Sequence, residues 1–472
     1  MVKLAVDERQ IADIVARVLA SLETGSAGTS RSPRGGGDEG VFADLDEAVR
    51  AAKTAQRQLA ALPLAGRSAI VEALRRTSIE HVEEIARLAH EETGYGRVPD
   101  KIRKKLLAAR LTPGVEDIQV EAKSGDGGLV LIERAPFGLI ASIEPSTHPG
   151  ACVINHAVSM VAAGNAVVFL PHPKGIRTAQ ALIRLYSRAV QEAGGPENLL
   201  VVGDSVSMEN FDLVLNHPLV DMVVATGGPE VVDRALRSGK KAIAAGPGNP
   251  PVVVDETADL DQAARCIVEG ASFDNTVLCI AEKVIIVVEA VAEELRRQLA
   301  AHGAWLADDP GDGDRILAAV IPGGRVNPAL IGKDPAVILD RAGVAVSGEP
   351  RLIVLELSAG HPLVEEEQML PVLPLVRVAD FAGALDLAAR VEHGFKHTAM
   401  IHSRDVGRIT AYARRLSVDI MVANAPSSAG LGVGAEGHYS HTIASPTGEG
   451  ICTPRTYTRE QRTVIAGALR TA

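Results

Sequence analysis

Apolar positions along this chain repeat with two periods. In the first 22 residues Ile11, Ile14, Val15, Val18, Leu19 and Leu22 follow the spacing of one helical face. Asp7 and Gln10 have capping-box spacing with Asp7 as N-cap, and Glu8, Arg9, Asp13 and Arg17 fill the polar face. From Val41 to about Leu111 the pattern is helical, broken at Pro63 and at Gly94 to Gly96. Residues 118–123 and 129–135 read as two strands joined by Ser124-Gly125-Asp126-Gly127-Gly128, a β-hairpin signal. Beyond Phe137, strand-length apolar runs (138–144, 166–170, 199–202, 221–225) alternate with helical stretches (151–163, 176–193 and one from about Glu230). A second block repeats the alternation. It has strands at 251–255, 283–288, 352–357, 373–378 and 398–402, and helices at 261–270 and 380–391. Such alternation predicts βαβ units and a parallel sheet, an α/β fold. The tail from Gly430 has no core pattern and is expected to lie on other parts of the chain or on another subunit.

Residues 23–40 are rich in Gly, Ser and Thr, the composition of a flexible linker. A short amphipathic helix on such a tether cannot bury its apolar face alone. It either docks on a partner or folds back on its own domain. Its Asp7, Glu8 and Asp13 argue against a mitochondrial-type transit helix.

Composition narrows the function classes. A chain of 472 residues suggests two or three domains. With aromatics at 3%, the core must be mainly aliphatic. A formal net charge of −11 disfavours a nucleic-acid or anionic-membrane surface. No apolar run reaches the length of a membrane span, and no secretory signal is expected. The 4 cysteines, Cys152, Cys266, Cys279 and Cys452, stand far apart, which suggests neither a zinc site nor a disulfide framework and fits a reducing compartment.

Two features carry candidate chemistry. The loops at Pro145, Pro171 and Thr226 all follow strands, so they should lie along one sheet edge, where parallel sheets bind nucleotides. Thr226-Gly227-Gly228 precedes a helix and can set backbone N–H groups against phosphate, although no Gly-x-Gly-x-x-Gly fingerprint follows the first strand. The second feature is Phe273 to Lys283, a small polar loop with Cys279 just ahead of an apolar strand. A thiolate held there suits attack on a carbonyl carbon. The other reading of Cys279 is a small core residue. Cys152 is its rival, near a helix start where the dipole would lower a thiol pKa.

Six short blocks follow in order along the chain and carry a resemblance that covers nearly all of it. They are Pro145-Ser146-Thr147-His148-Pro149, Ala162-Ala163-Gly164-Asn165 with Pro171-His172-Pro173, and Ala245-Gly246-Pro247-Gly248-Asn249-Pro250-Pro251. Then come Asn275-Thr276-Val277-Leu278-Cys279, Leu370-Pro371-Val372-Leu373-Pro374 and Pro446-Thr447-Gly448-Glu449-Gly450. Together they resemble the aldehyde dehydrogenase superfamily, and within it the CoA-acylating branch of bacterial microcompartments, the propionaldehyde and acetaldehyde dehydrogenases. The resemblance implies a Rossmann-type nucleotide-binding domain over residues 41–245, with the hairpin 118–135 serving oligomerisation. It implies a catalytic domain over 246–429 and a tail, 430–472, returning beside the hairpin. Residues 1–22 resemble an encapsulation peptide. The implied partners are shell proteins and the implied location is the microcompartment lumen, with the enzyme a homo-oligomer (dimer or tetramer).

The same resemblance implies the chemistry. Cys279 is the nucleophile toward a short-chain aldehyde, with NAD and coenzyme A as cofactors and no metal. Its backbone N–H and a side chain of the Thr147 loop are the oxyanion donors. Pro145, Pro171, His172, Pro173, Thr226, Gly227 and Gly228 flank the cofactor, Glu367 holds the nicotinamide ribose, and Pro426-Ser427-Ser428 walls the aldehyde pocket. Ala244 stands where hydrolytic relatives carry a water-activating glutamate, and a methyl group is no base. His148 stands where many acylating relatives have asparagine, so it is either a donor or a loop residue with a local bond. A non-acylating dehydrogenase that releases free acid, and a catalytically weak shell-cargo protein, are the competing expectations.

Overall fold

The computed structural model describes residues 38–469. The helix expected over residues 1–22 and the linker up to residue 37 lie outside them. The last linker residues are already fixed to the body, since Asp38 pairs with Arg184 and Glu39 with Arg188. The helical pattern expected from Val41 begins instead with a two-residue strand, β1 (Val41–Phe42). Four helices follow, Leu45–Ala61, Leu64–Glu80, Val82–Thr93 and Val98–Leu111. Asp44 caps the first of them by accepting from the backbone N–H groups of Asp46 and Glu47.

The predicted hairpin is present, shifted by a few residues. Its strands are β2 (Glu121–Gly125) and β3 (Gly128–Pro136), with Gly125 opposite Gly128 so that Asp126 and Gly127 form a two-residue turn. Five strands then complete the first sheet: β4 (Leu139–Glu144), β5 (Ala166–Pro171), β6 (Leu200–Gly203), β7 (Met222–Thr226) and β8 (Lys241–Ala245). All pair in parallel, in the order β1-β6-β5-β4-β7-β8. Their centres, such as Val167, Val168, Val201, Val202, Val223 and Val224, are fully buried because helices cover both faces. Each such side chain contributes ~1.5–3 kcal/mol of burial. The sequence did not announce β8, which begins with an exposed lysine.

Seven more strands make the second sheet: β9 (Pro251–Val254), β10 (Val284–Val288), β11 (Ala304–Leu306), β12 (Leu352–Glu356), β13 (Val372–Val378), β14 (Thr398–His402) and β15 (Ile420–Ala423). They too are parallel, in the order β11-β12-β13-β10-β9-β14-β15. One buried apolar cluster draws on both sheets.

The tail differs from its expectation in one respect. It lacks a sequence pattern, yet Tyr439, Ile443, Cys452 and Tyr457 are buried in the main cluster. A small pair, β16 (Ile443–Ala444) and β17 (Gly450–Ile451), precedes β18 (Thr458–Ala466), which runs antiparallel to β3 from Thr458 opposite Pro136 to Ala466 opposite Gly128. The tail thus lies beside the hairpin. Backbone bonds, not buried side chains, hold β18 in place, and its residues are exposed after Thr458.

Candidate active site

In the first sheet β4, β5 and β6 step one way, and β7 and β8 return on the other side of β4. The carboxyl ends of β4 and β7 therefore flank a topological switch point, where parallel sheets leave a crevice for ligands. A cavity of about 770 Å³ opens there. Its wall carries Pro145 and Thr147 after β4, Pro171, His172 and Pro173 at the end of β5, and Thr226, Gly227 and Gly228 at the end of β7. The second sheet contributes Cys279 from the loop ahead of β10 and Glu367 from the segment ahead of β13. Residues far apart in sequence but singled out there thus share one wall.

The cavity suits a dinucleotide or another adenosine-bearing ligand. Phe169, Leu170, Val206, Met208 and Phe211 give it an apolar side for a flat base. The helix Pro229–Leu236 starts on the wall with Gly228 as N-cap and no side-chain cap, which leaves first-turn N–H groups for an anion. Thr226 Oγ1 is buried beside them without a partner among the described residues. Arg234, on the same helix, is the basic side chain of the wall besides its histidines.

The nucleophile loop is held in an uncommon backbone conformation. Asp274, Asn275 and Thr276 have φ of 49°, 55° and 67°, in the left-handed region that β-branched residues avoid. Side-chain bonds fix each of them. The Asp274 carboxylate accepts from Arg97 N–H at 2.9 Å, Lys101 Nζ at 3.2 Å and Lys104 Nζ at 2.5 Å. Asn275 Nδ2 donates to Gly332 O and Asp334 Oδ1, and Thr276 Oγ1 donates to Ala271 O. Lys283 Nζ donates to Thr276 O at 3.0 Å. At Gly96, whose φ is +64°, an added Cβ would meet Asp274 Oδ1 at 1.8 Å, so only glycine fits.

Cys279 is exposed only in part, toward the cavity. Burial pushes its thiol up to about 12; the Glu367 carboxylate adds to this and Lys283 opposes it. Lys283 is wholly buried, and burial lowers its ammonium to about 8. Burial also raises Glu367, against the pull of Lys283. His397, just ahead of β14, is on the same wall, and burial lowers it to about 4, so it stays neutral. Gly248 separates it from the nucleophile loop: a Cβ there would stand 3.0 Å from both the Cys279 carbonyl and the His397 ring.

Cys152 loses its rivalry. It sits in the first turn of the helix Ala151–Ala162 as expected, but it is fully buried. Burial, and then the Glu144 carboxylate, push its thiol well above the usual range. Desolvation outweighs the helix dipole. Cys266 is core, as its neighbours suggested. Ser427 and Ser428 do not reach the large cavity. They line a second one of about 30 Å³ with Leu107, Phe273, Leu278, Ile280 and Leu431, and Ser427 donates to Glu282. Leu278 and Ile280 flank Cys279, so this small apolar space lies close to the nucleophile.

Sequence reasoning missed Lys101, Lys104, Asp274, Lys283 and His397. The lysines stand at i, i+3 and i+4 with Lys105, a pattern that reads as a solvated helix face. Here it is the inward face, each lysine at most 2% exposed. Asp274, far away in sequence, is what permits it.

A model described as the aldehyde dehydrogenase family matches residues 37–328. The CoA-propanoylating propanal dehydrogenase of Salmonella typhimurium is 43% identical over 457 residues, 97% of this chain and 98% of the relative. Propionaldehyde dehydrogenase of Rhodopseudomonas palustris, solved with bound CoA and an acylated cysteine, superposes with a TM-score of 0.90 at 42% identity, covering 92% of this chain and 100% of that one. A propionaldehyde dehydrogenase from the fucose utilisation microcompartment of Clostridium phytofermentans also gives 0.90 at 41% identity, covering 92% and 100%.

Proposed function

The chain belongs to the aldehyde dehydrogenase family, and from that premise we propose that it oxidises a short-chain aldehyde, propionaldehyde or acetaldehyde, to its acyl-CoA while reducing NAD+. The observation that carries this reading is the placement of Cys279 on the wall that also carries the loops after β4, β5 and β7. Cys279 attacks the aldehyde carbon as its thiolate, the proton having already left to solvent, and the backbone N–H of Cys279 and the Thr147 loop receive the oxyanion. Bound NAD+ supplies the hydride acceptor. Pro145, Pro171, His172, Pro173 and Thr226 to Gly228 would hold it, and Glu367 would bind its nicotinamide ribose. Loss of hydride leaves an acyl thioester on Cys279. The sulfur of Cys279 departs as the thiol of CoA takes the acyl group, and His397, a neutral imidazole, is the group we assign to receive that thiol's proton.

Water is the poorer acceptor. β8 ends on the cavity at Ala245 and is followed there by Gly246 and Pro247, and Ala244 before them is buried with its amide bonded to Thr447 Oγ1. That stretch offers no carboxylate to activate water. The test is NADH formation from propionaldehyde and NAD+ with and without CoA, beside Cys279→Ala. Sustained turnover only with CoA, lost in the variant, supports the reading; equal turnover without CoA means that water is the acceptor.

A homo-oligomer, dimer or tetramer, would form through β2, β3 and β18, whose strands leave Val464 67% and Val120 beside them 57% exposed. Residues 1–22 would address the enzyme to a microcompartment shell, a reading that the Clostridium relative's own setting favours. Deleting them should abolish co-purification with shells and leave activity intact; retained co-purification would remove the helix as the address.

A further inference from the structure

We propose that His148 donates to the oxyanion through its Nε2–H, and that Lys104 is the positioning residue that fixes this tautomer. The proposal rests on the acyl-transfer reading above and names a donor for the same site. His148 is buried, 4% exposed, yet lines the cavity with Cys279. Its Nδ1 lies 3.2 Å from Lys104 Nζ. Lys104 Nζ is surrounded by acceptors: Asp274 Oδ2 at 2.5 Å and Thr147 O at 3.4 Å complete its set. An ammonium has three donors and no lone pair, so Nδ1 of His148 must accept. A neutral imidazole that accepts at Nδ1 carries its proton on Nε2.

That Nε2–H has no protein partner among the described residues, and the ring belongs to the cavity wall. Burial holds the imidazole well below its usual pKa, and Lys104, His441, Lys101 and Lys105 push the same way. The ring therefore stays a neutral donor over the working pH range. His441 faces it with ring centroids 5.0 Å apart and is itself engaged by Tyr439 Oη at 3.2 Å.

The geometry couples this donor to the nucleophile. One ammonium bonds the loop of Thr147 and His148 and, through Asp274, the left-handed loop that leads to Cys279. All three side chains are buried, so the distance between the two loops is set by bonds that water does not compete for. When Cys279 sulfur bonds to the aldehyde carbon, the carbonyl π pair moves to oxygen. The Nε2–H hydrogen-bonds that oxygen and keeps its proton, so the imidazole is unchanged when the oxyanion collapses.

The test compares wild type, His148→Ala, His148→Asn and Lys104→Met in three measurements. These are steady-state turnover with propionaldehyde, NAD+ and CoA, the rate of Cys279 alkylation by iodoacetamide, and the ¹⁵N spectrum of histidine-labelled protein. Alkylation is displacement at saturated carbon and uses no oxyanion donor. His148→Ala is expected to lower kcat about 100-fold, His148→Asn to restore most of it, and alkylation to stay unchanged in both. The wild-type ¹⁵N spectrum is expected to show His148 protonated at Nε2, and Lys104→Met to mix the tautomers. Full turnover in His148→Ala, alkylation that falls together with turnover, or an Nδ1-protonated ring in the wild type overturns the proposal. A wild type that reduces no NAD+ removes the acyl-transfer reading and this proposal with it, an outcome distinct from failure at His148 alone.

Discussion

Lys104 Nζ lies 2.5 Å from Asp274 Oδ2, with both side chains shielded from solvent. Lys101 shares the same carboxylate at 3.2 Å, and Lys105 lies buried beside them. Burial alone would raise Asp274, but Lys104 and Lys101 together hold it below the ordinary carboxylate range. One carboxylate therefore permits three lysines to point inward.

Replacing Asp274 by Asn keeps the shape and removes the charge. Breaking a buried ion pair from one side costs ~3–5 kcal/mol. Burial lowers Lys101 to about 8 even with its partner present. Between the lowered folded pKa and the unfolded value the unfolded chain binds more protons, so this contribution to stability rises with pH. In Asp274→Asn that window opens at lower pH. Denaturant titrations at pH 7 and pH 9.5 should show a large loss at pH 7 that is partly recovered at pH 9.5. Equal losses at both would mean that the lysines are not neutralised by Asp274.

Without NAD+, Cys279 should titrate high. Burial pushes its thiol to about 12, so the thiolate fraction rises about tenfold per pH unit across the neutral and mildly alkaline range. Iodoacetamide inactivation of the free enzyme should climb without a plateau up to pH 10. A plateau near pH 8 would mean that Lys283 outweighs burial.

His397→Ala should separate the two half-reactions. The first needs only Cys279, its donors and NAD+, so a burst of NADH close to one per subunit should remain. Steady-state turnover with CoA should fall by ~10²–10⁴-fold, the range for loss of a positioned base. Loss of the burst itself would place His397 in the first half-reaction.

Removing residues 458–472 deletes β18 and leaves β3 an exposed edge. If the three-stranded sheet is the oligomer contact, the truncated protein should elute as a smaller species or aggregate through the free edge. Unchanged elution in size-exclusion chromatography would place the contact elsewhere.

The α/β class, most strand positions and the wall loops at Pro145, Pro171 and Thr226 were legible in the sequence. Buried parallel strands must be apolar throughout, and Val167 to Phe169 or Val284 to Val288 cannot be read otherwise. The loops after β4, β5 and β7 follow from the same logic, since a parallel sheet puts strand ends of one kind on one edge. Cys279 was visible through its place ahead of β10 and its resemblance to known motifs. Tertiary structure alone decided matters that depend on a distant partner. Lys101, Lys104 and Lys105 look like a wet helix face until Asp274 arrives from 169 residues beyond Lys105. Cys152 looks activated by a helix start until burial beside Glu144 reverses the sign. β18 carries no apolar signature because its register is set by the backbone of β3. His148 was ambiguous as a letter, and Lys104 settles its tautomer. Local periodicity encodes what a segment buries, whereas charge state, tautomer and strand partner belong to pairs of residues that only the fold brings together.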